Sequence, residues 1–214
     1  MFTEALSNYM AFLGWSPKSA SSEILSLDEI SNIFDLSDIN KAGAKFSWEK
    51  LNWINSQYIK NMGSIKLSGI MKKYWDDNGW VPPSQEWADK LAILLRDSLT
   101  LLKDIIDQSE PFFLIPSIQK EGQDFLKNND GITSLKLILN YLMEQNTLKL
   151  DKEKAKEIIN EISKMHNIKK GILMKSLRVA FFGSLSGPDL IQSWELFSES
   201  KTDIFRIERC LKSI

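Results

Sequence analysis

The side chains that most often carry catalysis are scarce in this sequence. Its 214 residues hold one histidine, His166, and one cysteine, Cys210. One histidine cannot build a zinc site, and one cysteine cannot close an internal disulfide. Any Ser-His or Cys-His nucleophile would have to rest on His166. That residue stands in KMHNIKKG, at the expected exposed end of a helix, and reads as an ordinary surface side chain. The ten glycines form neither a P-loop nor a GxGxxG pattern, whose backbone amides cradle phosphates. HExxH, GxSxG and CxxC are also missing. The residues argue against a self-contained enzyme and against a structural metal.

Chemistry by charge remains. The 27 Lys and Arg nearly balance the 28 Asp and Glu, but they are not evenly spread. Residues 76–131 carry eleven acids and five bases, a net of −6, and residues 146–178 carry nine bases and four acids, a net of +5. A positive region on a neutral chain suits a polyanion, because phosphate contacts release counterions. The same lysines, interleaved with Glu153, Glu157 and Glu161, equally fit a solvated, salt-bridged helix face. Charge by itself leaves both readings open.

The elements that must position these groups are helical from end to end. Leu6, Tyr9, Met10 and Leu13 share one expected face of a helix over 3–13, with Gly14 as its stop. Ser26 and Ser47 read as N-caps, and the helix after Ser47 carries Leu51, Ile54, Tyr58 and Ile59. Further helices are expected at 65–77, 84–106, 118–128, 133–145, 151–166, 171–182, 188–198 and 202–212. Prolines at 82–83, 111 and 116 should punctuate them. FFLIPSI at 112–118 is too short and proline-broken for a strand and is expected to be an extended connector. The expected class is all-α. No apolar run reaches the roughly 18 residues of a membrane span, and MFTEALSNYM lacks the basic start and apolar core of a signal peptide. A cytoplasmic location is expected.

Three segments are more specific: EALSNYMAFLGWSP at 4–17, KFSWEKLNWINSQYIK at 45–60 and KKGILMKSLRVAFFGSLSGPDL at 169–190. In this order, with LLRDSLTLLKDI at 94–105 between the second and third, they resemble the C-terminal portion of bacterial-type glutamyl-tRNA synthetase, a class I aminoacyl-tRNA synthetase. The resemblance runs from Phe2 to the last helix. It implies a stem-contact remainder over 1–60, followed by a helical-cage anticodon-binding region in two subdomains, 61–146 and 147–214. The family's Rossmann-type catalytic half carries HIGH and KMSKS-type signatures. Neither is present here, so the chain is expected to begin shortly after the KMSKS-type loop and to make no glutamyl-adenylate by itself. ATP and Mg would serve the parent enzyme, with no cofactor in this chain. The implied partner is tRNA, for glutamate and possibly glutamine, with no DNA or membrane partner and a monomeric state.

The resemblance also assigns roles. Arg178 matches a family arginine near the anticodon, and Gly187, Pro188, Leu190 and Ile191 match the loop and helix start around its bases. This suits single-stranded RNA, whose splayed bases are read on apolar surfaces and through edge hydrogen bonds. A Gly-Pro turn is expected to expose backbone N–H and C=O groups there, beside a helix N-terminus that favours phosphate. Without the resemblance, GSLSGPDL reads as a plain turn with Pro188 opening the next helix. Lys50 and Trp53 match positions facing the tRNA between its arms, although aromatics in a helical stripe, Trp48 included, are more often core. Lys169 and Lys170 suit anticodon-stem phosphates. In LLRDSLTLLKDI, Arg96 is followed by Ser98, where relatives that charge only the glutamate tRNA tend to place a second arginine against the third anticodon base. A hydroxyl cannot span an arginine's reach, so the parent is expected to be non-discriminating. The alternative is a helical protein-interaction scaffold whose basic face docks an acidic partner.

Overall fold

Capping chemistry sets the first helices. Ser26 Oγ accepts from Glu29 N (3.2 Å) while Glu29 Oε2 accepts from Ser26 N (2.7 Å), a reciprocal cap that starts α2 (Leu27–Ile33). Ser47 Oγ accepts from Lys50 N at 3.2 Å and starts α3 (Trp48–Lys60). In this computed structural model residues 1–18, 22–40, 43–144 and 150–214 are described. They form twelve α-helices and one short 3₁₀ turn, with no strand among the described residues beyond a single bridge between Trp15 and Ile39. The fold is all-α.

Helix α1 (Thr3–Leu13) ends at Gly14, and its inward face is rotated from the one its periodicity suggests, keeping Tyr9 and Leu13 but not Leu6 and Met10. Ala5, Asn8 and Tyr9 are buried, whereas Leu6 and Met10 are exposed. Apolar residues lie on two sides of this helix, so its partner α3 selects the face. Asn8 Oδ1 accepts from Leu25 N (3.2 Å) and from the Tyr58 hydroxyl (3.3 Å), which keeps a polar residue inward. Ala5, Tyr9, Leu51 and Ile54 form a small core of their own.

The expected helix over 84–106 is two helices, α5 (Gln85–Arg96) and α6 (Asp104–Phe113), which follow α4 (Ser64–Asp77). Short polar side chains break it by competing for the backbone. Asp104 Oδ2 accepts from Thr100 N (3.1 Å) and Leu101 N (2.7 Å), closing a turn where helix would otherwise continue. Pro111 lies inside α6 rather than ending it, and Phe112 and Phe113 are helical; only 114–119 runs as an irregular connector. Four helices then follow: α7 (Lys120–Asn128), α8 (Gly131–Glu144), α9 (Lys152–His166) and α10 (Lys170–Phe182). The last two are α11 (Leu190–Glu199) and α12 (Asp203–Lys212). Helix α11 starts two residues later than expected, because Asp189 Oδ1 accepts from Gln192 N (2.9 Å) and is its cap, leaving Pro188 outside. His166 is the exposed last residue of α9.

One apolar cluster runs from Ile59 to Cys210. Its centre is aromatic: Phe112 stacks on Phe197 (5.2 Å, 17°), and Phe113 meets Trp75, Trp80 and Trp87 at 5.2–5.3 Å between centroids. The expected subdomain boundary at 146–147 lies outside the described residues. Across it in sequence, α5 and α11 are joined directly. Trp87 Nε1 donates to Leu196 O (2.9 Å), and Lys90 Nζ bridges Glu195 (3.2 Å) and Glu199 (2.5 Å). No helix among the described residues is long and apolar enough to cross a membrane.

Candidate nucleic-acid interface

Helix α10 stops at Gly183, whose φ of +70° is left-handed. A Cβ there would lie 2.2 Å from Ser117 O, so close approach of the connector demands glycine. The loop beyond is tightened by Ser184, whose hydroxyl donates to Ser186 O at 2.7 Å. Arg178, on the last turn but one of α10, reaches across it. Its Nη1 donates to Gly187 O (3.0 Å) and to Pro188 O (2.8 Å). Gly187 in turn lies against Phe182, where a Cβ would come within 2.9 Å of the ring.

The structure therefore brings Arg178, Gly187 and Pro188 together, with one change to the expected chemistry. The Gly187 and Pro188 carbonyls each already accept a hydrogen bond from the Arg178 guanidinium, which leaves one lone pair on each for another partner. The loop can also present its outer edge and the remaining guanidinium N–H groups. Leu190 also differs from expectation: it is 1% exposed and its side chain belongs to the core, so no base can pack on it. Ile191 is half-buried against the same core.

Lys169 and Lys170 are exposed at the N-cap and first position of α10, and no ion pair among the described residues involves either. Two cations at a helix N-terminus oppose the helix dipole, so the fold gains nothing from them there. The lysines of α9 behave otherwise. Lys154 pairs with Glu157 (2.9 Å) and Lys156 with Glu153 (3.2 Å), neutralising much of the basic stretch along its own helix.

Ser98 lies in the turn after α5, exposed, its hydroxyl donating to Leu95 O at 2.7 Å with Gln108 Oε1 3.3 Å away. Arg96, the last residue of α5, is partly buried, with Nε 3.6 Å from Asp97 Oδ1 and no hydrogen-bond partner for that nitrogen. Gln108 was not among the expected residues. Ten positions separate it from Ser98, and only the break between α5 and α6 folds one helix back on the other.

In the N-terminal unit, Lys50 is exposed and paired with Glu23 at 2.8 Å. Trp53 is 46% exposed and Trp48 67%, so neither is a core residue of the α3 stripe. Trp48 meets Phe46 edge-on (4.9 Å), and Phe46 meets Tyr9 in the same way (5.1 Å). Trp48 and Phe46 thus form an exposed aromatic pair, seated on the buried Tyr9, of the kind on which bases stack.

Residues 66–211, from α4 to α12, match the Anticodon binding domain family. The chain is 86% identical over 211 residues to a glutamate–tRNA ligase of Prochlorococcus marinus strain MIT 9215, and 42% identical over 209 residues to that of strain NATL2A. It spans 44% of the length of each of these curated relatives. Its fold matches a crystal structure of a glutamate tRNA ligase from Elizabethkingia meningosepticum in complex with its amino acid. The TM-score is 0.89 at 30% identity, covering 98% of this chain and 41% of that one. The glutamate-tRNA synthetase of Elizabethkingia anophelis gives 0.86 at 31%, with 98% and 40% covered. With more than half of its length matched, the chain belongs to the anticodon-binding domain family.

Proposed function

We propose that this chain recognises tRNA as the anticodon- and stem-contacting part of a glutamate–tRNA ligase, holding the tRNA for ATP- and Mg-dependent glutamylation by a catalytic domain outside it. The observation that carries the reading is the Arg178 latch on Gly187 and Pro188. It preorganises a loop whose residues match the family's anticodon-contacting loop, and on this reading RNA binding does not have to order it. Lys169 and Lys170, unpaired among the described residues, and the exposed Trp53 support contacts with phosphates and bases.

We further propose that the parent ligase is non-discriminating. Ser98 is short, exposed and already engaged with Leu95 O, so the third anticodon base meets no arginine fork at this position. The scaffold alternative would need the same basic face; the α9 ion pairs engage Lys154 and Lys156, two of the nine bases in 146–178, so this face alone does not favour it over RNA.

The experiment is a titration of the chain with the glutamate tRNA, the glutamine tRNA and an unrelated tRNA at one moderate salt concentration. Comparable binding of the first two and poor binding of the third is the expected result. Equal binding of all three would leave only a basic helical surface. Strong preference for the glutamate tRNA would remove the non-discriminating reading.

A further inference from the structure

The buried face of α12 contains an arginine that makes no ion pair among the described residues. Asp203, Arg206, Ile207 and Cys210 share that face, and Arg206 is 1% exposed. Its Nη1 donates to Phe181 O (3.1 Å), its Nη2 to Leu114 O (3.0 Å), and its guanidinium carbon sits 4.2 Å from the Phe197 ring centroid. Its Nε is buried without a hydrogen-bond partner. No carboxylate lies within ion-pair distance of it among the described residues. Burial without a partner acid pulls this guanidinium down to about 10. Two neutral carbonyls and a ring face lower the cost of burying the cation but do not cancel it.

Arg206 lines a cavity of about 370 Å³ whose wall also holds Arg209, one turn further along α12, and Ser117, Gln123 and Ser213. Arg209 is exposed and makes no ion pair among the described residues. No acid lines this cavity; Glu110 lines an adjoining cleft that shares Ile115, Pro116 and Ser117. Ile115, Pro116 and Ile118 supply an apolar wall, which lowers the local dielectric and strengthens any charge interaction inside. Helix α10 contributes Ala180 here, not Arg178, so this cavity is separate from the latched loop.

We propose that this cavity is an oxyanion-binding site, in which a phosphate or carboxylate group is held between Arg209 and Arg206 with the Ser117 hydroxyl as a further donor. Guanidinium groups match the geometry of both oxyanions, and an anion here would give Arg206 a counter-charge. The ligand is either a small free oxyanion or a nucleic-acid backbone phosphate. The proposal stands independently of anticodon reading.

The test is a titration of the ¹⁵N-labelled chain with inorganic phosphate, at ionic strength held constant with chloride, following the arginine Nε–Hε signals. Saturable shifts at Arg206 and Arg209 are expected. Arg209→Ala, an exposed change that spares the core, should weaken them by roughly tenfold, the loss of one charge-assisted contact. Ser117→Ala should weaken them less. Shifts that chloride alone reproduces, or that persist unchanged in Arg209→Ala, would overturn the site. Acetate and a single-stranded RNA oligonucleotide separate the sources. Displacement of phosphate by RNA assigns a backbone phosphate, and binding of phosphate or acetate without RNA competition assigns a free oxyanion.

Discussion

Arg178 and Gly187 are joined side chain to main chain across the end of α10, with Nη1 3.0 Å from the Gly187 carbonyl and 2.8 Å from that of Pro188. One charged donor thus fixes two successive peptide groups of a loop that has no regular structure of its own. An arginine held in this way is a positioning residue for the loop as well as a source of charge at the surface.

Replacing Arg178 with alanine frees both carbonyls, and loss of charge-assisted hydrogen bonds costs about 1.5–3 kcal/mol. Most of that should appear as weaker binding of a tRNA anticodon hairpin, by about ten- to a hundredfold. Because the side chain is only partly buried, the thermal midpoint should change little. Faster hydrogen exchange at 184–189, beside a fluorescence titration with the hairpin, checks the result. Tight hairpin binding in the presence of a loosened loop would contradict the latch.

Gly187→Ala acts on the same loop from the other side. The new Cβ would meet the Phe182 ring at 2.9 Å, so the loop or ring must shift. Overpacking of this kind costs about 1–3 kcal/mol. Hairpin affinity should fall while the circular-dichroism helix signal stays unchanged; wild-type affinity would show that the close approach is not required.

Lys90 links α5 to α11 through Glu195 and Glu199, with Glu86 one turn back on its own helix at 3.2 Å. Burial alone would lower its pKa, but hydrogen bonds to Glu199, Glu195 and Glu86 outweigh that and raise it above the ordinary 10.5. Lys90→Met leaves three carboxylates without their cation and should cost about 1–2 kcal/mol, the lower part of the range for charged hydrogen bonds because the side chain is partly solvated. A folded value above the unfolded one means that the contribution is complete below pH 10.5 and shrinks as pH rises past it. Urea melts of wild type and variant should therefore differ at neutral pH and draw together only as pH rises from 10.5 towards the raised folded value. A constant gap would separate the effect from Lys90 protonation.

Ser98→Arg restores the fork that the position lacks. Binding of the glutamine tRNA should fall by about 1–3 kcal/mol relative to the glutamate tRNA, the usual span for one bidentate base contact. Unchanged relative binding in a filter assay would remove Ser98 from the reading of the third base.

Much of this molecule is legible along the chain because its signals are local. Ser26 and Ser47 cap helices with their own side chains within one turn, and α1 ends at Gly14 as its periodicity requires. Arg178 and the Gly187-Pro188 pair lie close enough in sequence to be read as one motif. The misplaced elements are those where a tertiary partner chose between local options. Helix α1 is apolar on two sides, and α3 decided that Ala5 turns inward beside the expected Tyr9 while Leu6 and Met10 face out. An arginine on the apolar stripe of α12 is a visible anomaly, yet only the approach of the 114–119 connector and the end of α10 supplied the carbonyls that hold Arg206. Lys90 and Glu199 are 109 positions apart, and no periodicity links them. Sequence pattern determines which segments become helices, because each helix satisfies its own backbone. Which faces meet depends on the packing of all helices at once, and only the tertiary structure decided that.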